Sequence, residues 1–188
     1  MRILLISIHY PPIISSCAEQ MRDLALELKR QGHEVVILTP NPQVKKNFCE
    51  KTYDGIRIIT IKGFKIKNNY SFLYRGILDI LLPFKIIYQL FVNKRSLKNI
   101  DGIVWYSPSS FFAPLIFFLK KISKAKTYLI LRDQYPEDLI NIGLIKSKFI
   151  ILIFKIFNKC CAVILVQNPL KSHFRTWHNL RWCFQEMI

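Results

Sequence analysis

Glycine, paired cysteine and acidic side chains are all scarce in this 188-residue sequence. The first of its six glycines is Gly32, so no glycine-rich phosphate loop follows the apolar N-terminal run. This absence disfavours a flavodoxin-like or other small nucleotide-binding protein. The five cysteines form no CxxC pair, which argues against a zinc site and a disulfide framework and suits a reducing cytosol. We therefore expect no metal ion.

Acidic residues number only 12 against 28 Lys and Arg, which gives a formal net charge of +16. Residues 1–40 are neutral, residues 41–99 carry +9 and residues 100–188 carry +7. The basic excess therefore belongs to the later, most apolar segments. Lysines set among long apolar runs fit an anionic membrane surface better than a nucleic-acid groove, so we expect a membrane contact and no nucleic-acid partner.

The sequence also lacks the marks of disorder and of a signal peptide. Hydrophobic residues make up 51% of the chain, too many for a disordered protein. The N-terminal apolar run is short, carries one basic residue and ends at Pro11 and Pro12, which makes a poor signal peptide. About one globular domain is expected at this length.

Short apolar runs alternate with helical patterns along the chain. Continuous apolar runs of this kind are typical of strands buried on both faces. A strand, a helix and a second strand within about forty residues form a parallel, right-handed unit. The sequence therefore predicts an α/β fold with a Rossmann-like, doubly wound, mostly parallel sheet. Its predicted strands are residues 2–8, 35–38, 56–61, 102–106, 127–131 and 162–166.

Local signals predict the helices and turns. Ser16 and Glu19 have the spacing of a capping box, in which each side chain accepts a hydrogen bond from the other residue's amide. Apolar residues then recur at helical spacing over 21–28, and Gly32 suits the left-handed position that ends a helix. Further predictions are a turn at 54–55, a polar loop over 62–69 and a helix near 111–121.

Two longer apolar segments, 72–92 and 147–160, also have helical patterns. Both carry charges within runs shorter than, or barely equal to, the ~20 apolar residues of a membrane span. Both fit helices packed on the sheet, but the apolar arc of 72–92 is wider than one sheet face covers, so this segment equally fits a membrane surface. Pro83 is expected to kink it. Its polar residues share about a third of the helical circumference; they are Arg75, Asp79, Lys85 and Gln89.

Ligands of an open parallel sheet bind beyond the carboxyl ends of its strands. The loop over 9–16 lies there and leads into a helix N-terminus, where amides and the helix dipole favour an anion such as a diphosphate. Ser15 and Ser16 offer hydroxyls in place of glycine, whereas His9 is more typical of a packed residue.

Two further loops, 106–110 and 132–137, follow predicted strands at the same edge. The second is the richer in chemistry, since four ionisable groups fall within seven residues. They are Arg132, Asp133, Glu137 and Asp138. This cluster is either a polar functional site or an internal ion pair.

Three stretches carry a family resemblance. ILLISIHYPPIISSCAEQMRDLALELKRQGHEVVILTP (3–40) resembles the N-terminal domain of family 4 glycosyltransferases, which have the GT-B fold. YLILRDQYPEDLINIGLI (128–145) is similar to the Arg-Asp-x-x-Pro-Glu loop of the branch that builds bacterial O-antigen and capsular polysaccharide, and DGIVWYSPSSFFAPL (101–115) resembles the segment before it. The resemblance covers about residues 1–168.

The resemblance implies a retaining transfer of a sugar from a nucleotide sugar, with no other cofactor. The implied acceptor is a lipid-linked saccharide at the cytoplasmic face of the cell membrane. Arg132 and Asp133 stand where many members have a His-Asp pair near the reacting sugar, which implies a catalytic role. Ser15 and Ser16 replace the Gly-Gly phosphate loop of many members, and with Ser107 and Glu137 they are the implied acceptor- or phosphate-binding residues.

The family also needs a second Rossmann-like domain, with a Glu-x7-Glu motif, to bind the donor. Glu19 and Glu27 have that spacing, but they lie in the first predicted helix and are interpreted as surface carboxylates. We interpret residues 1–168 as the acceptor-side domain and 169–188 as an atypical tail, typical of a truncated or frameshifted end. The chain is therefore expected to be inactive alone and to need a separate donor domain. The alternative is a non-catalytic module that binds a membrane or a saccharide.

The apolar segment and its basic neighbours supply the candidate membrane contacts. A peripheral location at the inner face of the cell membrane would hold the acceptor-binding loops close to a lipid-linked substrate. The candidate contacts are Phe72, Tyr74, Phe84, Lys85, Phe91, Lys94 and Arg95.

Overall fold

The computed structural model describes residues 1–65, 72–93, 97, 99–106, 110–130 and 152. Its elements, in chain order, are β1 (Arg2–Ile6), α1 (Ser16–Arg30), β2 (Glu34–Pro40), β3 (Phe48–Tyr53), β4 (Ile56–Ile61), α2 (Phe72–Val92), β5 (Gly102–Tyr106), α3 (Ala113–Ser123) and β6 (Lys126–Ile130). One 3₁₀ turn, Ser110–Phe112, leads into α3.

The strands form one sheet in the order β3-β4-β2-β1-β5-β6. Every neighbouring pair is parallel except β3–β4. At its centre, Ile3 of β1 pairs with Val35 of β2 on one side and with Gly102 of β5 on the other. The predicted α/β fold class, with a mostly parallel, doubly wound sheet, is confirmed.

Two apolar layers cover the two faces of this sheet. Because side chains alternate along a strand, Ile3 and Leu5 of β1 face α1, whereas Leu4 and Ile6 face the opposite layer, which contains α2 and α3. The central strands are buried on both sides, which is why they appear in the sequence as continuous apolar runs.

The antiparallel strand β3 was not predicted from the sequence. Its residues, FCEKTY, are half-buried or exposed and form no apolar run, because this strand lies at the edge of the sheet. The turn predicted at 54–55 joins it to β4, and both Asp54 and Gly55 have positive φ (51° and 69°). A two-residue hairpin with positive φ at both positions is of type I′, which Asp-Gly favours.

Helix α1 is fixed at its far end by its own cap and by this hairpin. Gly32 has a φ of 84°, its amide donates to the Lys29 carbonyl and the His33 amide donates to the Leu28 carbonyl, so the predicted glycine stop is confirmed. The Arg22 Nε atom lies 2.9 Å from Asp54 Oδ2, and Lys29 Nζ donates to the Asp54 carbonyl at 2.9 Å.

Several sequence predictions fall wholly or partly outside the described residues. These are the strand at 162–166, the helix at 147–160, the domain boundary at 168, the loop over 132–137, residue 131 of the strand at 127–131, residues 107–109 of the loop over 106–110, and the loop over 62–69 beyond residue 65.

Helix α2 has the predicted extent, 72–92, and continues through Pro83; the kink stays a prediction. Its Asp79 side chain is half-buried, and burial raises the pKa of that carboxyl above its ordinary value. Within the described residues, we find no helix that combines the length and the apolar character of a transmembrane span.

Asp79→Asn should stabilise the fold near neutral pH. Since the folded-state pKa of Asp79 lies above that of the unfolded chain, its contribution to stability is lost as pH rises through the folded-state value. The melting temperature of the variant should exceed that of the wild type at about pH 7 and match it at about pH 3, where both side chains are neutral. A variant that melts lower at neutral pH would show that the ionised carboxyl is stabilising.

Candidate functional site

The candidate site lies at the carboxyl edge of the sheet, between β1 and β5. The chain leaves β1 through α1 to reach β2 on one side, while β5 occupies the other side of β1. α1 packs on one face of the sheet, and α2 and α3 pack on the other. The connections therefore diverge between β1 and β5, and ligands of doubly wound sheets bind in the crevice at this position.

The loop between β1 and α1, residues 7–15, forms one wall of this crevice without any glycine. The buried Ser7 hydroxyl donates to the His9 carbonyl at 2.7 Å and lies 3.2 Å from Cys17 Sγ. A cis peptide bond joins Pro11 to Pro12 inside a turn that the Ile13 amide closes on the Tyr10 carbonyl at 3.2 Å. Side-chain and turn hydrogen bonds thus define this loop.

Ser15, and not Ser16, caps α1. Ser15 has an extended backbone (φ −158°, ψ 153°), its hydroxyl accepts a hydrogen bond from the Ala18 amide at 3.1 Å, and its carbonyl accepts from the Glu19 amide. The predicted capping box at Ser16 is therefore wrong by one residue, and Ser16 is the exposed first residue of the helix. The helix begins so that Cys17, Ala18 and Met21 are buried against the sheet, and this burial sets its register.

A hydrogen bond between side chains connects the two walls of the crevice. Tyr106, the last residue of β5, is buried on the α1 side of the sheet, and its hydroxyl donates to Gln20 Oε1 at 2.9 Å. Sequence reasoning missed this pair, which is 86 residues apart. The position of Tyr106 at the end of a strand, on the same alternation as Val104, is the signal that could have indicated its side of the sheet.

Tyr10, in the same loop, is buried, and its hydroxyl has no hydrogen-bond partner among the residues that the structure describes. Burial, followed by the charge of Asp54, raises the pKa of Tyr10 to about 12, although the Arg22 charge opposes the shift. The phenol therefore stays neutral at physiological pH and cannot act there as a base.

Six predicted site residues lie outside the described part of the chain: Ser107, Arg132, Asp133 and Glu137, and the predicted membrane contacts Lys94 and Arg95. The side chain of Phe72, another predicted membrane contact, also lies outside it. In the sequence, Arg132 follows the end of β6 by two residues. Glu19 and Glu27 pair with Arg22 (3.7 Å) and Arg30 (2.7 Å) on the exposed side of α1, which supports their interpretation as surface carboxylates.

The chemistry available at the described part of the edge is polar recognition. Among the described residues, no group of three or more His, Cys, Asp or Glu could hold a metal ion. The serine-capped start of α1 offers hydroxyls and the positive end of a helix dipole, an arrangement that suits a phosphate or carboxylate group.

No protein-family model and no curated protein matches this sequence. Similar solved structures include the catalytic domain of starch synthase IV from Arabidopsis thaliana bound to ADP and acarbose (16% identity, 68% of this chain, 33% of that chain, TM-score 0.49). Another is the trehalose-6-phosphate synthase from E. coli bound with UDP-2-fluoro glucose (10% identity, 72% of this chain, 34% of that chain, TM-score 0.44). A third is the C-terminal domain of PF1911 hydrogenase from Pyrococcus furiosus (18% identity, 69% of this chain, 91% of that chain, TM-score 0.45). The chain spans about a third of the first two structures.

Ser15→Ala should lower the free energy of unfolding by about 1 kcal/mol, the usual cost of removing an N-cap side chain. Ser16→Ala is the matched control and should change it by less than about 0.5 kcal/mol, because Ser16 is at an exposed helical position. Urea unfolding followed by circular dichroism measures both. The reverse order of effects would restore the capping box at Ser16.

Proposed function

We propose that this chain is the acceptor-side half of a sugar transferase that uses a nucleotide sugar as donor. The observation that carries the proposal is the serine-capped start of α1 at the crevice between β1 and β5. The resemblance of residues 3–40 to the N-terminal domain of family 4 glycosyltransferases supports the same assignment. The proposed pathway is cell-surface polysaccharide biosynthesis of the O-antigen or capsule type.

The proposed acceptor is a saccharide linked to a lipid through a diphosphate. The Ser15 hydroxyl already accepts the Ala18 amide, so its own hydrogen is available to a phosphate oxygen. Ser16 presents a second hydroxyl at the exposed first position of the helix. Since the helix dipole is positive at this end, a diphosphate is favoured over a neutral saccharide.

We assign the chemical step to the loop that follows β6. Arg132 and Asp133 come two and three residues after Ile130, the end of that strand. Asp133 is proposed as the polar group beside the reacting sugar, with Arg132 compensating negative charge there. Glu137 and Ser107 are proposed acceptor-binding residues, and a separate donor domain is proposed to hold the nucleotide.

The purified chain should bind a short-chain prenyl-diphosphate saccharide but transfer no sugar from nucleotide sugars. Ser15→Gly should weaken binding about tenfold, because it removes a hydrogen bond to a charged group while glycine keeps most of the helix cap. Thr52→Ala, which removes an exposed hydroxyl on β3, should leave the affinity unchanged. Isothermal titration calorimetry measures binding. Unchanged affinity of Ser15→Gly, or transfer above the blank, would contradict the proposal.

In an enzyme reconstituted with a donor domain, Asp133→Ala should lower the transfer rate by ~10²-fold or more, the scale of losing one preorganised polar or proton-transfer group. Circular dichroism should show an unchanged fold. Asp23→Ala, which removes an exposed carboxylate from α1, is the control and should retain full activity. Turnover near the wild-type rate would mark residues 132–138 as a structural ion pair.

A further inference from the structure

Helix α2 exposes a large part of its apolar surface, while its polar side chains are buried or half-buried. Of its polar residues, Gln89 is buried, while Arg75, Asp79 and Lys85 are half-buried. By contrast, besides the terminal Val92, six large apolar or aromatic side chains have 45–78% of their surface exposed. They are Tyr74, Ile77, Leu81, Phe84, Tyr88 and Phe91, and we name them the α2 stripe. A helix that only covers a core in water usually has charged and polar side chains on its outer side, which α2 does not.

The α2 stripe is one continuous line along the helix. Its members are spaced alternately three and four residues apart, so they project from one side and extend over about 25 Å. No charged residue belongs to it. A different set of side chains, including Leu78, Ile86 and Leu90, fills the space against the sheet. Burial of the core therefore does not explain the apolar character of the stripe.

The neighbouring helix extends the exposed apolar surface and adds positive charge. α3 packs against α2 and exposes Phe117 and Ile122, with Lys120 and Lys121 in its last turn. Together α2 and α3 carry four basic residues and one acidic residue, whereas α1 on the opposite face carries three of each.

Basic side chains also lie beside the segment that leads from β4 to α2. Lys85 Nζ of α2 lies 4.4 Å from the centre of the Phe64 ring, and Lys62 is close enough to influence the Lys85 ammonium electrostatically. Positive charge therefore accompanies an aromatic ring beside the apolar helix. This combination is typical of surfaces that contact lipid headgroups and the outer part of the acyl layer.

We propose that the outer face of α2 and α3 docks on an anionic phospholipid membrane, with the α2 stripe inserted at the level of the headgroups. The positive charge of the chain favours an anionic lipid surface over a second copy of this chain, since two copies with a net charge of +16 repel each other. The proposed attachment is peripheral, with α2 lying along the membrane surface.

Sedimentation with phospholipid vesicles tests the docking directly. The 188-residue chain should bind vesicles of phosphatidylcholine with phosphatidylglycerol far better than pure phosphatidylcholine, and high salt should release it only in part. Phe84→Ser combined with Phe91→Ser should weaken binding at least tenfold. Tyr53→Ser, which removes an exposed aromatic side chain from β3, should not. These vesicles contain no saccharide, so the result is independent of the proposed sugar transfer.

The lysines have a matched control of their own. Lys120→Gln with Lys121→Gln should weaken binding to anionic vesicles about thirtyfold, since each basic residue near an anionic surface contributes about a kcal/mol. Arg30→Gln with Lys51→Gln removes the same charge from exposed positions on α1 and β3, away from α2 and α3, and should weaken it less than about twofold.

Three results would overturn the proposal. The first is no binding of the wild type to anionic vesicles at low salt. The second is wild-type binding by the Phe84/Phe91 variant. The third is a wild-type dimer in analytical ultracentrifugation that this variant dissociates, together with absent vesicle binding, which would make a second copy the occupant. Thermal unfolding of each variant, expected to match the wild type because the substituted side chains are exposed, excludes misfolding as the cause of lost binding.

Discussion

Burial of β1 on both of its faces is the constraint on which the rest of the structure depends. Ile3, Leu4, Leu5 and Ile6 are each less than 5% exposed. Since neighbouring residues point to opposite faces, each face needs its own apolar layer, and parallel neighbours need crossover connections that supply helices. The helical layers on both faces of the sheet, the divergence of the chain beside β1 and the crevice at its carboxyl end all follow from this one buried strand.

The two helical layers suit different surroundings. The outer side of α1 carries paired charges, such as Arg30 with Glu27, and is therefore suited to contact with water. The outer side of α2 presents the α2 stripe, while its polar residues are buried or half-buried. The sheet therefore lies between α1, whose outer side is charged, and α2 and α3, whose outer side is largely apolar. The candidate site lies at the carboxyl edge of this sheet, next to both helical layers.

Most strands and the long helices were predictable because their residues repeat a single pattern. Leu4–Ile6 or Ile103–Trp105 can be buried only as strands between two layers, and Gly32 has a backbone conformation that few other residues adopt. β3 was not predictable, since an edge strand needs no apolar run and its signal is reduced to the Asp-Gly turn after it. The orientation of α2 was not predictable either, because a periodic pattern defines two faces of a helix without saying which one the protein covers.

Part of the candidate site could likewise be predicted from the sequence, and part of it could not. The carboxyl edge and the serines before α1 followed from strand order and local helix signals, although the cap was displaced by one residue because Ser15 and Ser16 have the same chemistry. The hydrogen bond between Tyr106 and Gln20 could not be predicted, because only the tertiary fold brings these two residues together.

This hydrogen bond also restrains the two elements that it joins. It holds the first turns of α1 against the end of β5, with 2.9 Å between the Tyr106 hydroxyl and Gln20 Oε1. The tip of the adjoining loop, at Ile14, is almost fully exposed, so the restrained start of α1 lies beside a solvent-exposed loop tip.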